Sequence, residues 1–312
     1  MATLICGSLA YDNIMTFEGR FREHILPEQV HILNVSFLVP TMRREFGGCA
    51  GNIAYSLHLL GGDARIMATL GGVDAQPYID RLDQLGLSKA HVKVLPDTWS
   101  AQAMITTDLE NNQITAFHPG AMMQSHLNRA DHADGITLGI VAPDGFDGMV
   151  QHAEQFAAAG VPFIFDPGQG LPLFDGESLR HAIELATYVA VNDYEASLVS
   201  HRTGWSIEDI ASRVEALIVT RGEQGSRIYH KEGVEEIPAV TAQRVLDPTG
   251  CGDAFRGGLL YGIENRLGWA TTGRLASLMG ALKIEHQGPQ NYAPTRAQIG
   301  ERLKQAFGYD LP

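Results

Sequence analysis

Cysteine is scarce in this chain: Cys6, Cys49 and Cys251 stand far apart, with no CxxC spacing. They read as reduced thiols of a cytoplasmic protein rather than as a disulfide framework. The histidines are scattered and none pairs with cysteine or glutamate at ligand spacing, so no structural zinc is expected. There is no run of lysine or arginine, and the net charge is −13. Phosphate neutralisation needs clustered cations, so neither a duplex nucleic acid nor an anionic membrane is an expected partner. A small phosphorylated ligand needs only a few backbone amides and is not excluded. No segment approaches the ~18 uninterrupted apolar residues of a membrane span, and "MATLICGSLAYD" has no basic stretch before a long apolar run, so no signal peptide is expected. Also missing are the G-x-G-x-x-G fingerprint and the Walker A pattern, which disfavours a dehydrogenase and requires any nucleotide to be held by another scheme.

What is present is a substantial core and a regular rhythm. Hydrophobic residues make up 45% of the 312 positions and charged residues 19%, enough for one large α/β domain or a domain with a small appendage. Short apolar runs at 3–9, 65–72, 137–145, 161–170, 187–195 and 216–225 end in polar or glycine residues. Helical patterns lie between them, among others at 51–61, 147–159, 176–186 and 206–214. This alternation predicts βαβ units, a mostly parallel sheet with both faces covered, and a ligand beyond the carboxyl ends of the strands. Residues 13–46 and 98–118 break the rhythm with alternating β-type patterns around a polar "ENNQ" turn. They are expected to form a small antiparallel sheet, serving as a lid or merely as extra edge strands. The expected division is therefore a core of 1–12, 47–97 and 119–312 with 13–46 and 98–118 inserted.

Two glycine-rich helix starts carry the chemistry. In "RVLDPTGCGDAFRGGLLYG" (244–262), Phe255, Leu259 and Ile263 recur at helical spacing, so a helix is predicted from near Asp253. Gly250 and Gly252 clear side chains from the preceding turn, and the amides of Gly250, Cys251, Gly252 and Asp253 are placed to receive an anion with the help of the helix dipole. A plain capping role for Asp253 is the alternative. In "EFGGCAGNIAYSLHLLGG" (45–62), Ile53, Leu57 and Leu60 mark a second helix, predicted from near Asn52, with Gly47, Gly48 and Gly51 around its start.

"GGCAGNIAYSLHLLGG" and "DPTGCGDAFRGGLL", with "VNDYE" (191–195) and "VTRGEQGS" (219–226) between them, resemble the ordered motifs of the ribokinase-like (PfkB) sugar and nucleoside kinases along nearly the whole chain. Within that family, "GSLAYDNIMTFEGRF", "LPEQVHILNVSFLV" and "FHPGAM" are most similar to bacterial adenosine kinases. The resemblance implies a three-layer α/β/α core with a small β lid. It also implies ATP- and Mg²⁺-dependent phosphorylation of a nucleoside 5′-hydroxyl, adenosine to AMP as in purine salvage. Another nucleoside (inosine, guanosine or cytidine), a sugar (ribose or fructose), or a silent nucleoside sensor are the alternatives.

The same resemblance assigns roles. Asp253 becomes the base that takes the substrate hydroxyl's proton, and the amides from Gly250 to Asp253, Cys251 and Gly252 included, become the anion hole. Ser8 and Asp12 at the end of the first strand, together with Gly48 and Asn52, would meet the sugar. Ser36, Phe37, Phe117 and Gln169 would face the base, Phe37 being equally readable as packing within the lid. Asn192 and Glu195 would organise Mg²⁺, largely through water, and Thr220, Gly222 and Gly225 would border ATP. Asp247 and Thr249, with backbone from 286–292, match the region where several members bind potassium. Ala103 and Gly170 depart from the nearest relatives, which carry an aromatic and a glutamine there, and this bears on base specificity. A homodimer through the lid edges is a further expectation.

Overall fold

The first strand, β1 (Ala2–Cys6), is buried on both faces: Ile5 packs into one apolar cluster, Leu4 and Cys6 into another. A strand hidden on both sides belongs to the middle of a layered α/β structure. The computed structural model describes residues 2–25, 35–110 and 112–311. After β1 come β2 (Ala10–Thr16), α1 (Phe21–His24), β3 (Thr41–Gly47), α2 (Cys49–Leu59), β4 (Asp63–Gly71), α3 (Gln76–Leu85), β5 (Ser88–Leu95), β6 (Ala101–Thr107) and β7 (Gln113–His118). The chain continues through β8 (Ile136–Val141), α4 (Phe146–Ala158), β9 (Phe163–Phe165), α5 (Gly176–Leu185), β10 (Tyr188–Asn192), α6 (Asp193–Thr203) and α7 (Ile207–Ala211). It closes with β11 (Ala216–Thr220), β12 (Ser226–His230), β13 (Gly233–Ile237), α8 (Cys251–Glu264), α9 (Trp269–Ile284) and α10 (Arg296–Phe307).

Nine strands form the central sheet in the order β13-β12-β11-β10-β9-β8-β1-β4-β5. All neighbours from β5 to β11 pair in parallel, while β12 and β13 close one edge antiparallel. The apolar faces of α2, α3, α8, α9 and α10 contribute to one core cluster and those of α4 to α7 to the other, giving the expected three layers. The chain builds outward from β1 through β4 on one side, then from β8 on the other. Strand order therefore reverses at β1 and β8, the point beyond whose carboxyl ends open α/β sheets bind ligands. Ser8 and Pro143 meet there, the Ser8 amide donating to the Pro143 carbonyl at 3.1 Å.

The second sheet has four strands in the order β3-β2-β6-β7. It is not wholly antiparallel: β2 and β6 pair in parallel, because β6 arrives only after the chain has passed through β4 and β5 of the core. It also begins at Ala10, before the expected boundary at 13, so Asp12 is a residue of the small sheet rather than of the first core strand. Among the described residues no helix is long and apolar enough to cross a membrane.

Candidate active site

Both glycine-rich helices start earlier than their apolar periodicity suggests. Helix α2 begins at Cys49 after Gly48, and α8 at Cys251 after Gly250, so Asn52 and Asp253 lie within first turns rather than at the caps. Gly48 has φ +86°, and a Cβ there would stand 2.5 Å from the Ser8 carbonyl oxygen. Gly250 has φ +80°, with a Cβ position 2.8 Å from Pro289 Cβ. Neither site admits a side chain without strain. The Ser8 hydroxyl accepts from the Cys49 amide at 3.1 Å, fixing α2 to the end of β1.

Of the four amides expected at α8, that of Cys251 is already engaged: it donates to the Pro248 carbonyl at 3.1 Å. The tight turn through Thr249 and Gly250 forces this closure, which corrects the expectation of four free donors. The amides of Gly250, Gly252 and Asp253 make no hydrogen bond among the described residues, and they stand where the helix dipole favours an anion. The Cys251 thiol is pushed up to about 11, burial being the main cause, so it is protonated near neutrality and no nucleophile.

Helices α2 and α8 pack against each other, and Asn52 Nδ2 donates to Asp253 Oδ2 at 2.8 Å. Gln290 Nε2 holds the other end of the amide, donating to Asn52 Oδ1 at 3.0 Å and to the Tyr78 hydroxyl at 3.1 Å. Tyr78 in turn donates to the Gly47 carbonyl at 2.6 Å. Burial raises the Asp253 carboxyl to about 6; the nearby Asp166 carboxylate pushes the same way, and the Asn52 bond opposes it. A carboxylate poised near neutrality suits a general base. Asp166 is itself paired: Arg256 donates to it through Nε at 3.0 Å and Nη2 at 3.2 Å, both side chains being buried. Asp12 is also raised to about 6, by burial first and then by Asp247 and Glu45.

Further along the sheet, Asn192 and Thr220 are register partners at the ends of β10 and β11. Asn192 is the N-cap of α6 and shares a reciprocal capping box with Glu195: Asn192 Oδ1 accepts from the Glu195 amide at 2.7 Å, Glu195 Oε2 from the Asn192 amide at 2.8 Å. Burial, with Asp166 nearby, raises the Glu195 carboxyl. Gly222 and Gly225 flank the exposed turn that follows β11. The oxygens of Asp247 are already engaged. The Asp247 carboxylate accepts the amides of Thr249 at 2.9 Å and Gly288 at 2.8 Å, and its carbonyl is taken by Lys283 at 2.7 Å.

The fold thus gathers Ser8, Gly48, Asn52, Gly250, Gly252 and Asp253. The expected base-facing residues are spread wider. Phe37 belongs to an aromatic cluster, 4.8 Å from Phe17 and 5.0 Å from Phe21 between ring centroids, so its ring packs inside the lid side. Phe117 is 52% exposed on β7, and Ser36 and Gln169 are exposed. Sequence reasoning missed Asp166, Arg256, Tyr78, Gln290 and Lys283. Only Asp166 carried a signal, as the carboxylate ending the strand of "FIFDPG".

Comparison with known proteins shows the family to which this fold belongs. A nucleoside kinase of Burkholderia thailandensis, solved in complex with inosine, superposes with a TM-score of 0.91 at 75% identity, covering 99% of both chains. The complex of that kinase described as ADP-inosine superposes with a TM-score of 0.89 at 77% identity, covering 99% of this chain and 97% of that one. A nucleoside kinase of Methanocaldococcus jannaschii is 31% identical over 87% of this chain and 89% of its own length. Residues 16–296 match the pfkB family carbohydrate kinase model, and the chain belongs to that family.

Proposed function

We propose that this protein transfers the γ-phosphoryl of ATP to the 5′-hydroxyl of a nucleoside, with inosine ahead of adenosine. The observation that carries the chemistry is Asp253: a carboxylate raised to about 6, held by Asn52, one residue beyond amides left open at a helix start. Asp253 takes the hydroxyl proton as the oxygen attacks phosphorus. The amides of Gly250, Gly252 and Asp253 receive the charge on the transferred group, a donor set worth roughly 3–4 kcal/mol of barrier. Asp12 on β2 and Asn52 on α2 are assigned to the sugar hydroxyls.

Glu195 keeps Oε1 outside its capping box, which fits Mg²⁺ held mainly through water and phosphate. When bound, that ion supplies positive charge against the phosphates. Thr220, Gly222 and Gly225 are assigned to the ATP side. The small sheet is assigned as a lid that excludes water. Its outward face carries Met42, Met104 and Ile114, 70%, 40% and 42% exposed, in registered strands, which supports pairing of two copies across it. Inosine takes precedence because it is the nucleoside bound in the Burkholderia thailandensis kinase.

A coupled ADP-release assay over inosine, guanosine, cytidine, adenosine, ribose and fructose tests this. The expected order places inosine first in kcat/KM. Asp253→Asn should lower kcat by about 10²- to 10⁴-fold while calorimetry shows nucleoside binding retained. Turnover of a sugar alone, or an undiminished Asp253→Asn rate, refutes the proposal. Tight nucleoside binding with no turnover in the native protein identifies a sensor instead.

A further inference from the structure

Lys283, in the last turn of α9, is completely buried, yet its charge has a purpose-built surrounding of oxygen atoms. Its ammonium donates to the main-chain carbonyls of Asp247 at 2.7 Å and His286 at 3.2 Å, with Asp247 Oδ1 at 4.0 Å. Burial lowers the Lys283 pKa and Asp247 opposes the shift. A buried cation persists only where paired and hydrogen-bonded, and carbonyl and carboxylate oxygens are the donors that suit a hard cation. An ammonium ion is close to potassium in size and charge.

The two carbonyls come from the two loops that support the start of α8. Asp247 leads directly into the Pro248–Gly250 turn, while His286 leads to Gly288, whose amide binds the Asp247 carboxylate, and to Pro289, which packs under Gly250. The Cys251 sulfur lies 3.9 Å from the same Asp247 carbonyl. A fixed positive charge therefore ties both loops together directly behind the amides of Gly250, Gly252 and Asp253.

We propose that Lys283 is a resident cation: its tethered ammonium fills the position that an exchangeable potassium ion would take, so the protein works without one. Lys283 is then a positioning residue that acts through the 247–250 and 286–289 loops and touches neither substrate. The activity arm of the test rests on the kinase function proposed above, and the melting arm does not.

Native protein and Lys283→Ala are compared in potassium chloride and in tetramethylammonium chloride at equal ionic strength. Both kcat and melting temperature of the native protein should be the same in the two salts. Lys283→Ala, which opens a small oxygen-lined cavity, should lose up to about 100-fold in kcat with little change in nucleoside KM. It should recover part of that loss, and gain melting temperature, when potassium or methylammonium is added. Clear activation or thermal stabilisation of the native protein by potassium overturns the proposal. So does a folded Lys283→Ala whose rate is unimpaired, or is impaired and deaf to both cations. If Lys283→Ala does not fold, the native comparison decides. Absence of any nucleoside turnover counts against the kinase function alone, and the melting comparison then decides.

Discussion

Replacing Asn52 with leucine, similar in shape but unable to donate, should move a titration rather than simply weaken the protein. Asn52 Nδ2 is 2.8 Å from Asp253 Oδ2 and favours the charged carboxylate. A hydrogen bond to a charged group is worth about 1.5–3 kcal/mol, and one pKa unit corresponds to about 1.4 kcal/mol. The Asp253 carboxyl, about 6 in the native protein, should therefore rise by roughly one to two units in Asn52→Leu. At pH 7 the base would be between about half and nine-tenths protonated. The assay is kcat/KM for the nucleoside against pH at saturating ATP and Mg²⁺. Asp12 is also raised to about 6, and in the proposed function it accepts the sugar hydroxyls best when ionised, so the native acid limb should steepen towards the loss of two protons. In Asn52→Leu that limb should split, one step staying near 6 and the other moving towards neutrality. Loss of a sugar contact by Asn52 would lower kcat/KM at every pH without moving either step. A variant whose limb stays undivided near 6 refutes the electrostatic role of Asn52.

Two predictions concern stability. Arg256→Met leaves the Asp166 carboxylate buried without its counter-charge, so urea unfolding should show a loss of about 3–5 kcal/mol. Adding Asp166→Asn should return part of it, and an unaffected midpoint in Arg256→Met would contradict the buried pair. Asp144, beyond β8, is 2% exposed and raised to about 8 by burial, which outweighs the opposing hydrogen bonds from the Gly145 amide and the Ser125 hydroxyl. The unfolded carboxyl ionises near pH ~4, so between about 4 and about 8 the folded state alone keeps the proton. Stability should fall across that window as pH rises, and Asp144→Asn should flatten the fall. Melting curves at pH 5 and pH 9 that decline equally for both proteins would exclude it.

The central sheet was readable because its strands are buried on both faces and appear as unbroken apolar runs between helical patterns. Helix α9 was not: buried residues from Thr272 to Lys283 lie all round it, so no polar stripe marks its period. Helix α10 does carry sequence signals, a Thr295–Gln298 capping box and the buried Ile299 and Leu303 at i, i+4 spacing. The helix starts were misplaced because the first turns, "CAGN" and "CGD", are short on large apolar residues, and periodicity registers only once the core face begins. Of the candidate site, the residues in glycine-rich motifs were legible, since backbone needs dictate them locally. Asp166, Arg256 and Gln290 were not, because their partners are supplied by the fold: Arg256 reaches across 90 positions and Gln290 across 238.

The same distinction separates Asp253, the proposed base, from a plain helix cap. The hydrogen bond that sets its protonation joins residues 201 positions apart and exists only because α2 and α8 come into close contact. That contact is made by glycine: a Cβ on Gly257 would lie 2.5 Å from Ser56 Cβ, and one on Gly258 2.5 Å from the Cα of Ala276 on α9. The pair "GG" in "AFRGGLL" therefore sets the spacing of three helices, not the chemistry of the turn before it. Close packing brings Asn52 to Asp253, Gln290 fixes the amide's orientation, and Lys283 braces the loops behind. A carboxylate at a helix start is by itself only a cap; held against Asn52, with open amides beside it, it has the surroundings that the proposed base and anion site require.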